Sequence, residues 1–216
     1  MARRGPIRDF GHYLEQTSAF DPAYVAQLYE AIHASPLLGP NPLNRYFRTT
    51  AGFSVIFRRE ALSDVIARFP EFGPYLAQAL SGMANAFYLN PLVIPPGGFV
   101  ERHADLSLRS YAPDVAHPSF VSVLYVDVPP DMEGGHLELY APDDRCLSRI
   151  IPHAGTLLTF QGDLRHAVTA VTAGTTPRTS LVCEQYCLTA SQLGEIPRLT
   201  AQAHGGFQAF LSLENP

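Results

Sequence analysis

"PPGGFVERHADLS", residues Pro95 to Ser107, opens on two prolines and two glycines and closes on a histidine and an aspartate two positions apart. Prolines and glycines grouped in this way mark a turn. In an extended chain residues i and i+2 point to the same side, so His103 and Asp105 offer an imidazole and a carboxylate to one face. Such a pair either holds a metal or is a polar strand end beside a loop. The spacing is common enough by chance that the second reading is the default until distant residues argue otherwise.

The surroundings decide the fold class. From about Tyr88 the chain breaks into short β-branched or aromatic runs cut by turns: "FYLNPLVIP", "SFVSVLYVDVP", "GGHLELYAP", "CLSRIIP", "GTLLTF", "RHAVTAVT" and "RTSLVCEQYCL". Segments spaced this closely predict an antiparallel sandwich or barrel. The region before them is mixed. "FDPAYVAQLYEAIHASP" places Asp21 at an N-cap and Pro22 at the first helical position. Tyr24, Val25, Leu28, Tyr29 and Ile32 follow at spacings of three and four, an amphipathic helix. "REALSDVIARF" and "FGPYLAQALSGMANAF" repeat the pattern on either side of Pro70, Gly73 and Pro74, and put Met83 and Phe87 on a packed helix face. "GFSVIFRR" reads as a strand between the first helix and this pair. The whole predicts a mostly β, α+β chain of one domain over residues 1–216. It has a helical and strand support region to residue 87, a core over 88–188 and a C-terminal extension over 189–216 with a weak helical pattern broken at Gly205-Gly206.

Composition excludes several function classes. At 216 residues one core suffices, and 46% hydrophobic residues with 16% charged is too apolar for a disordered chain. No apolar run reaches the roughly 18 residues of a membrane span, and "MARRGPIRDFGHYL" lacks the hydrophobic stretch of a signal peptide, so a cytoplasmic protein is expected. Cys146, Cys183 and Cys187 form no Cys-x-x-Cys pair and are expected to be reduced core thiols. A formal charge of -5 argues against a phosphate-tracking surface, and no basic cluster with interleaved aromatics offers a nucleic-acid groove. Oligomeric state is not legible in the sequence.

A metal reading of His103 and Asp105 needs a third ligand. Two histidines and a carboxylate on one face are the ligand set of non-haem Fe(II) oxygenases, which leave the opposite positions open. His166, in "FQGDLRHAVTAV", stands at the head of an alternating run and shares a face with Val168. Twelve residues on, Arg178 and Ser180 lie on one face of an apolar strand. A buried arginine there needs a partner, and its planar fork suits a carboxylate.

The run "PPGGFVERHAD", then "SVLYVDVPPDMEGGHLELY", "PHAGTLLTFQGDLRHAV" and "TPRTSL", over about Tyr88 to Tyr186, resembles the iron(II)- and 2-oxoglutarate-dependent oxygenases, nearest the prolyl-hydroxylase-like branch. The resemblance implies a double-stranded β-helix, or jelly-roll barrel, in agreement with the strand pattern. It implies Fe(II) on His103, Asp105 and His166, 2-oxoglutarate with its distal carboxylate on Arg178 assisted by Ser180, and O2 as the oxidant. Tyr125 matches a tyrosine that often touches the same co-substrate. The chain departs from many members in having Asp127 rather than asparagine and in a slightly long interval from His166 to Arg178. The activity implied is hydroxylation of an unactivated C–H bond in a small molecule, amino acid or peptidyl residue, with 2-oxoglutarate converted to succinate and carbon dioxide.

Asn90 is weighed as a further co-substrate contact, and Arg102 and Arg109 as solvated strand-end residues or anchors for an anionic substrate. Tyr88 is expected in the core. His136 and Glu138 also stand two apart, but Leu137 and Leu139 claim the core side and leave that pair facing outward. His12, His33, His117, His153 and His204 have no carboxylate at ligand spacing and are expected in loops or at the surface. A cupin-type metal enzyme would share the barrel yet prefer histidine at position 105 and have no need of Arg178, and a non-catalytic jelly-roll binding module would hold iron and 2-oxoglutarate weakly if at all.

Overall fold

The structure, a computed structural model, describes residues 4–41 and 46–203. The N-terminal part runs β1 (Ile7–Asp9), β2 (Tyr13–Gln16), α1 (Pro22–Ala34), β3 (Gly39–Pro40), β4 (Phe47–Arg48), β5 (Ala51–Arg58), α2 (Leu62–Arg68) and α3 (Gly73–Ala79). The strand-rich part follows as β6 (Ala86–Ile94), β7 (Phe99–His103), β8 (Phe120–Asp127), β9 (Glu133–Gly134), β10 (Leu137–Tyr140) and β11 (Cys146–Ile150). It continues through β12 (Leu157–Gln161), β13 (Arg165–Val168), β14 (Val171–Ala173) and β15 (Arg178–Tyr186), and ends in α4 (Ala190–Glu195) and β16 (Leu199–Ala203).

Apart from β9 and β14, which pair only with each other, these strands make two facing sheets with antiparallel pairing. The larger has nine strands in the order β1-β2-β12-β8-β15-β6-β5-β16, with β3 beside β5, and the smaller has five in the order β11-β10-β13-β7-β4. This is the double-stranded β-helix expected from the sequence. Its strands interleave across long sequence distances, which is why no local pattern reveals the pairing. Alternation sorts the side chains of the central strands. In β8, Val121, Val123 and Tyr125 face the space between the sheets, whereas Leu124 and Val126 face the helices. The helices cover the outside of the large sheet. Val25, Leu28 and Ile32 of α1 and Tyr75 and Leu76 of α3 join Phe53, Phe87, Leu89 and Leu181 in one buried cluster.

The cap of α1 forms as read, the Asp21 carboxylate accepting from the Ala23 N–H at 2.9 Å with Pro22 in the first turn. Four expectations need correction. The third helix stops at Ala79, so Met83 is 71% exposed and Phe87 is packed from strand β6. The C-terminal segment supplies a short helix with a Thr189–Gln192 capping box and then β16 on the edge beside β5. Cys183 alone is a core thiol, Cys146 and Cys187 being exposed. Glu138 is 8% exposed, because Tyr140 and Arg149 close over it on the outward face of β10 while Leu137 and Leu139 take the core as expected. His204 lies outside the described residues.

Candidate metal centre and co-substrate pocket

The turn "PPGG" sets the geometry of the centre. Gly97 has a φ of +83°, and a Cβ at Gly98 would stand 2.8 Å from the Thr49 carbonyl oxygen, so the connection from β6 to β7 needs both glycines. β7 then runs antiparallel to β13 with His103 opposite His166. Asp105 follows just beyond the end of β7. Its two carboxylate oxygens stand 3.3 Å from His103 Nε2 and 3.6 Å from His166 Nε2. One ligand atom from each of the three residues falls within 4.8 Å of the others.

Backbone carbonyls choose the tautomers. His103 Nδ1 is 2.9 Å from the Glu101 oxygen and His166 Nδ1 is 3.1 Å from the Leu164 oxygen. A carbonyl only accepts, so each Nδ1 carries the proton and each Nε2 turns its lone pair to the centre. Charge states follow the same design. Burial works to raise the Asp105 carboxyl, but His166 and then His103 outweigh it and hold it below its ordinary range. Burial holds the His166 imidazole below its usual value; burial also acts to lower His103, but the adjacent Asp105 carboxylate outweighs it and carries that imidazole above its own. An ionised carboxylate with neutral imidazoles is the donor set a divalent transition metal requires.

Arg178 begins β15 and is 2% exposed. Its Nη1 donates to the Gly135 carbonyl at 2.7 Å and its Nη2 to Ser180 Oγ at 3.3 Å, while Nε has no partner. The Gly135 carbonyl is delivered by a tight backbone path. Gly134 and Gly135 have φ of +77° and +64°, and a Cβ on Gly134 would lie 1.9 Å from the Ala170 oxygen. The Arg178 guanidinium carbon sits 4.9 Å from the ring centroid of Tyr125, whose buried hydroxyl is also unpartnered. Burial lowers the Arg178 pKa, and among the described residues no carboxylate offsets that cost. A cation and a hydroxyl left unsatisfied in the interior fit a bound carboxylate.

The triad and Arg178 line one cavity of about 1220 Å³. Asn90 and Tyr88 line it too, Tyr88 thus standing on its wall, with burial raising its phenol to about 12. Asn90 is satisfied when its amide nitrogen donates to the Phe53 and Pro91 carbonyls at 2.9 and 2.8 Å. Arg102 reaches the cavity rim, stacked 3.8 Å over the Tyr140 ring and 3.2 Å from Asp144, which also pairs with Arg165. Arg109 does not line the cavity. Its Nε donates to the Val115 carbonyl at 2.7 Å and closes the short helical turn after Asp105. Among the cavity residues that escaped sequence reading is Glu184, buried on β15. Its signal was parity, since it stands on the same strand face as Arg178 and Ser180.

The family model described as the 2OG-Fe(II) oxygenase superfamily matches residues 88–183, the span that supplies the triad, Tyr125 and Arg178. The match covers the strand-rich core of the chain and leaves the N-terminal helices outside it. The chain has structural neighbours of the same fold. A prolyl-4-hydroxylase from Pseudomonas putida is 22% identical with a TM-score of 0.56, over 83% of this chain and 95% of that one. A 2OG-Fe(II) oxygenase family protein from Burkholderia pseudomallei is 17% identical with a TM-score of 0.53, over 82% and 86%. A prolyl hydroxylase from Trichoplax adhaerens, solved with a fragment of the hypoxia inducible factor oxygen degradation domain, is 14% identical with a TM-score of 0.52, over 86% and 87%. Among curated protein sequences no relative matches. The reagents of the matched superfamily are Fe(II), 2-oxoglutarate and O2, and the donor set of His103, Asp105 and His166 fits the metal.

Proposed function

We propose that His103, Asp105 and His166 hold Fe(II), that Arg178 holds the distal carboxylate of 2-oxoglutarate, and that the chain hydroxylates an unactivated C–H bond of a small molecule, an amino acid or a peptidyl residue. Bound iron supplies oxidative chemistry, coupling decarboxylation of 2-oxoglutarate to succinate with attack on the substrate C–H bond. The side chains do the rest. The two histidines and Asp105 occupy one side of the centre, Tyr125 and Ser180 flank Arg178, and the apolar walls from Leu92, Val123 and Phe160 keep water away from the reacting groups. Asn90 stands on the wall as a further polar contact.

The observation that carries the reading is the buried guanidinium of Arg178 with no carboxylate partner among the described residues, on the wall of the cavity that also holds the triad. A cupin-type metal enzyme leaves that cation unexplained. No helix among the described residues is long and apolar enough to cross a membrane, and we propose a soluble enzyme acting in the cytoplasm. The test of the activity is succinate release under oxygen by protein loaded with Fe(II) and 2-oxoglutarate. Release that depends on both reagents supports it, and none with any candidate substrate, alongside unaltered 2-oxoglutarate, contradicts it.

A further inference from the structure

β15 brings a second ionisable side chain into the cavity. Glu184 is 4% exposed and lines the same space as Arg178 and the triad. Its carboxylate accepts from Ser107 Oγ at 2.5 Å, from the Ser107 N–H at 3.3 Å and from the Tyr186 hydroxyl. These donors are neutral. The chain has no lysine, and among the described residues no arginine or histidine forms an ion pair with Glu184. The charge that acts on it is Asp105, which has the same sign. A buried acid without a cation, beside another acid, is disfavoured in an empty site. Arg178 poses the same problem with the opposite sign, and there a bound carboxylate answers it.

We propose that Glu184 is a specificity-determining residue that accepts a cationic nitrogen of the substrate, a protonated amine foremost. The inference rests on the oxygenase reading and deepens it by naming the substrate's chemistry. Two carboxylate oxygens offer about four acceptor positions and the protein fills three, so one remains for a ligand donor. The three neutral hydrogen bonds fix the direction of the group without cancelling its charge. Burial, then the Asp105 charge, raises the Glu184 carboxyl to about 8 in the empty cavity, and the opposite charge of an arriving cation acts against both by favouring the ionised form. Because Ser107 is both the latch for Glu184 and the second residue after Asp105, a nitrogen held there is anchored on the side of the cavity where the metal-binding segment ends.

The test is calorimetric titration of the full chain, loaded anaerobically with Fe(II) and 2-oxoglutarate, with butylamine, L-lysine and L-ornithine, each against its N-acetyl counterpart on the terminal nitrogen. At least one amine is expected to bind roughly tenfold or more tightly than its acetylated form. Glu184→Gln is expected to abolish that preference while keeping the visible band of the iron-bound 2-oxoglutarate. The inference is overturned if no amine is preferred, or if the preference survives in Glu184→Gln, with the band intact. A missing band in the wild type overturns the oxygenase reading itself, and this inference with it. Should Glu184→Gln fail to fold, Glu184→Asp keeps the charge but withdraws it by one methylene, and must weaken the amines without changing the acetylated forms.

Discussion

At the scale of single residues the centre divides its work between groups that give electrons and groups that fix them. Asp105 is held ionised and the histidine Nε2 atoms are aimed inward by backbone carbonyls. Asp105→Ala is therefore expected to cut Fe(II) affinity by about 100-fold or more, and a metal titration at neutral pH measures it. Glu184 gives a separate handle on pH in the metal-free protein. Its folded value, about 8, lies above its ordinary 4.5, so the folded state binds more protons in between. Its contribution to stability is fully present below the ordinary value and is lost as pH rises through about 8. The urea midpoint of the metal-free wild type should accordingly fall relative to that of Glu184→Gln between about pH 5 and pH 9, and a constant difference would contradict this. Sequence reading reached His103, Asp105, His166 and Arg178 because each breaks an apolar or glycine-rich context. It passed over Glu184 because an acid within a strand ordinarily marks the wet face, and only the parity with Arg178 pointed inward.

At the scale of elements, the site depends on two glycine turns and on the alternation of β15. Gly134→Ala would drive a methyl into the Ala170 carbonyl at a left-handed position, with an expected loss of about 2 kcal/mol or more, read as a lower urea midpoint. The same variant should weaken 2-oxoglutarate binding more than Fe(II) binding, because the Gly135 carbonyl supports Arg178 and not the triad. At the other end of the chain, Asp21→Ala removes the side-chain cap of α1 and should cost about 1 kcal/mol with no change in metal affinity. The helix with a cap and the strands with strong alternation were legible in the sequence. The end of α3 was not, since "LSGMANAF" continues an apolar spacing that β6 claims through its pairing with β5 and β15. β16 was equally hidden, its partner Phe57 lying far back in the sequence from Leu199.

At the scale of the whole molecule, the two sheets enclose a cavity whose walls carry the Arg178 cation, the His103, Asp105 and His166 triad and an acid at Glu184. The large sheet receives its outer cover from the N-terminal helices, so the support region before residue 88 stabilises the barrel from outside, while β4 also extends the smaller sheet beside β7. The fold class and the order of the chemical residues follow from the strand-rich half alone. The identity of the covering elements follows from contacts that no local pattern encodes. The most direct test of the account is anaerobic titration of 2-oxoglutarate into the Fe(II)-loaded protein, followed by its visible charge-transfer band, in wild type and in Arg178→Ala. The account predicts a saturable band in the wild type and a loss of 2-oxoglutarate affinity of about 30-fold or more in Arg178→Ala, with Fe(II) affinity unchanged. Equal 2-oxoglutarate affinity in the two proteins would contradict it.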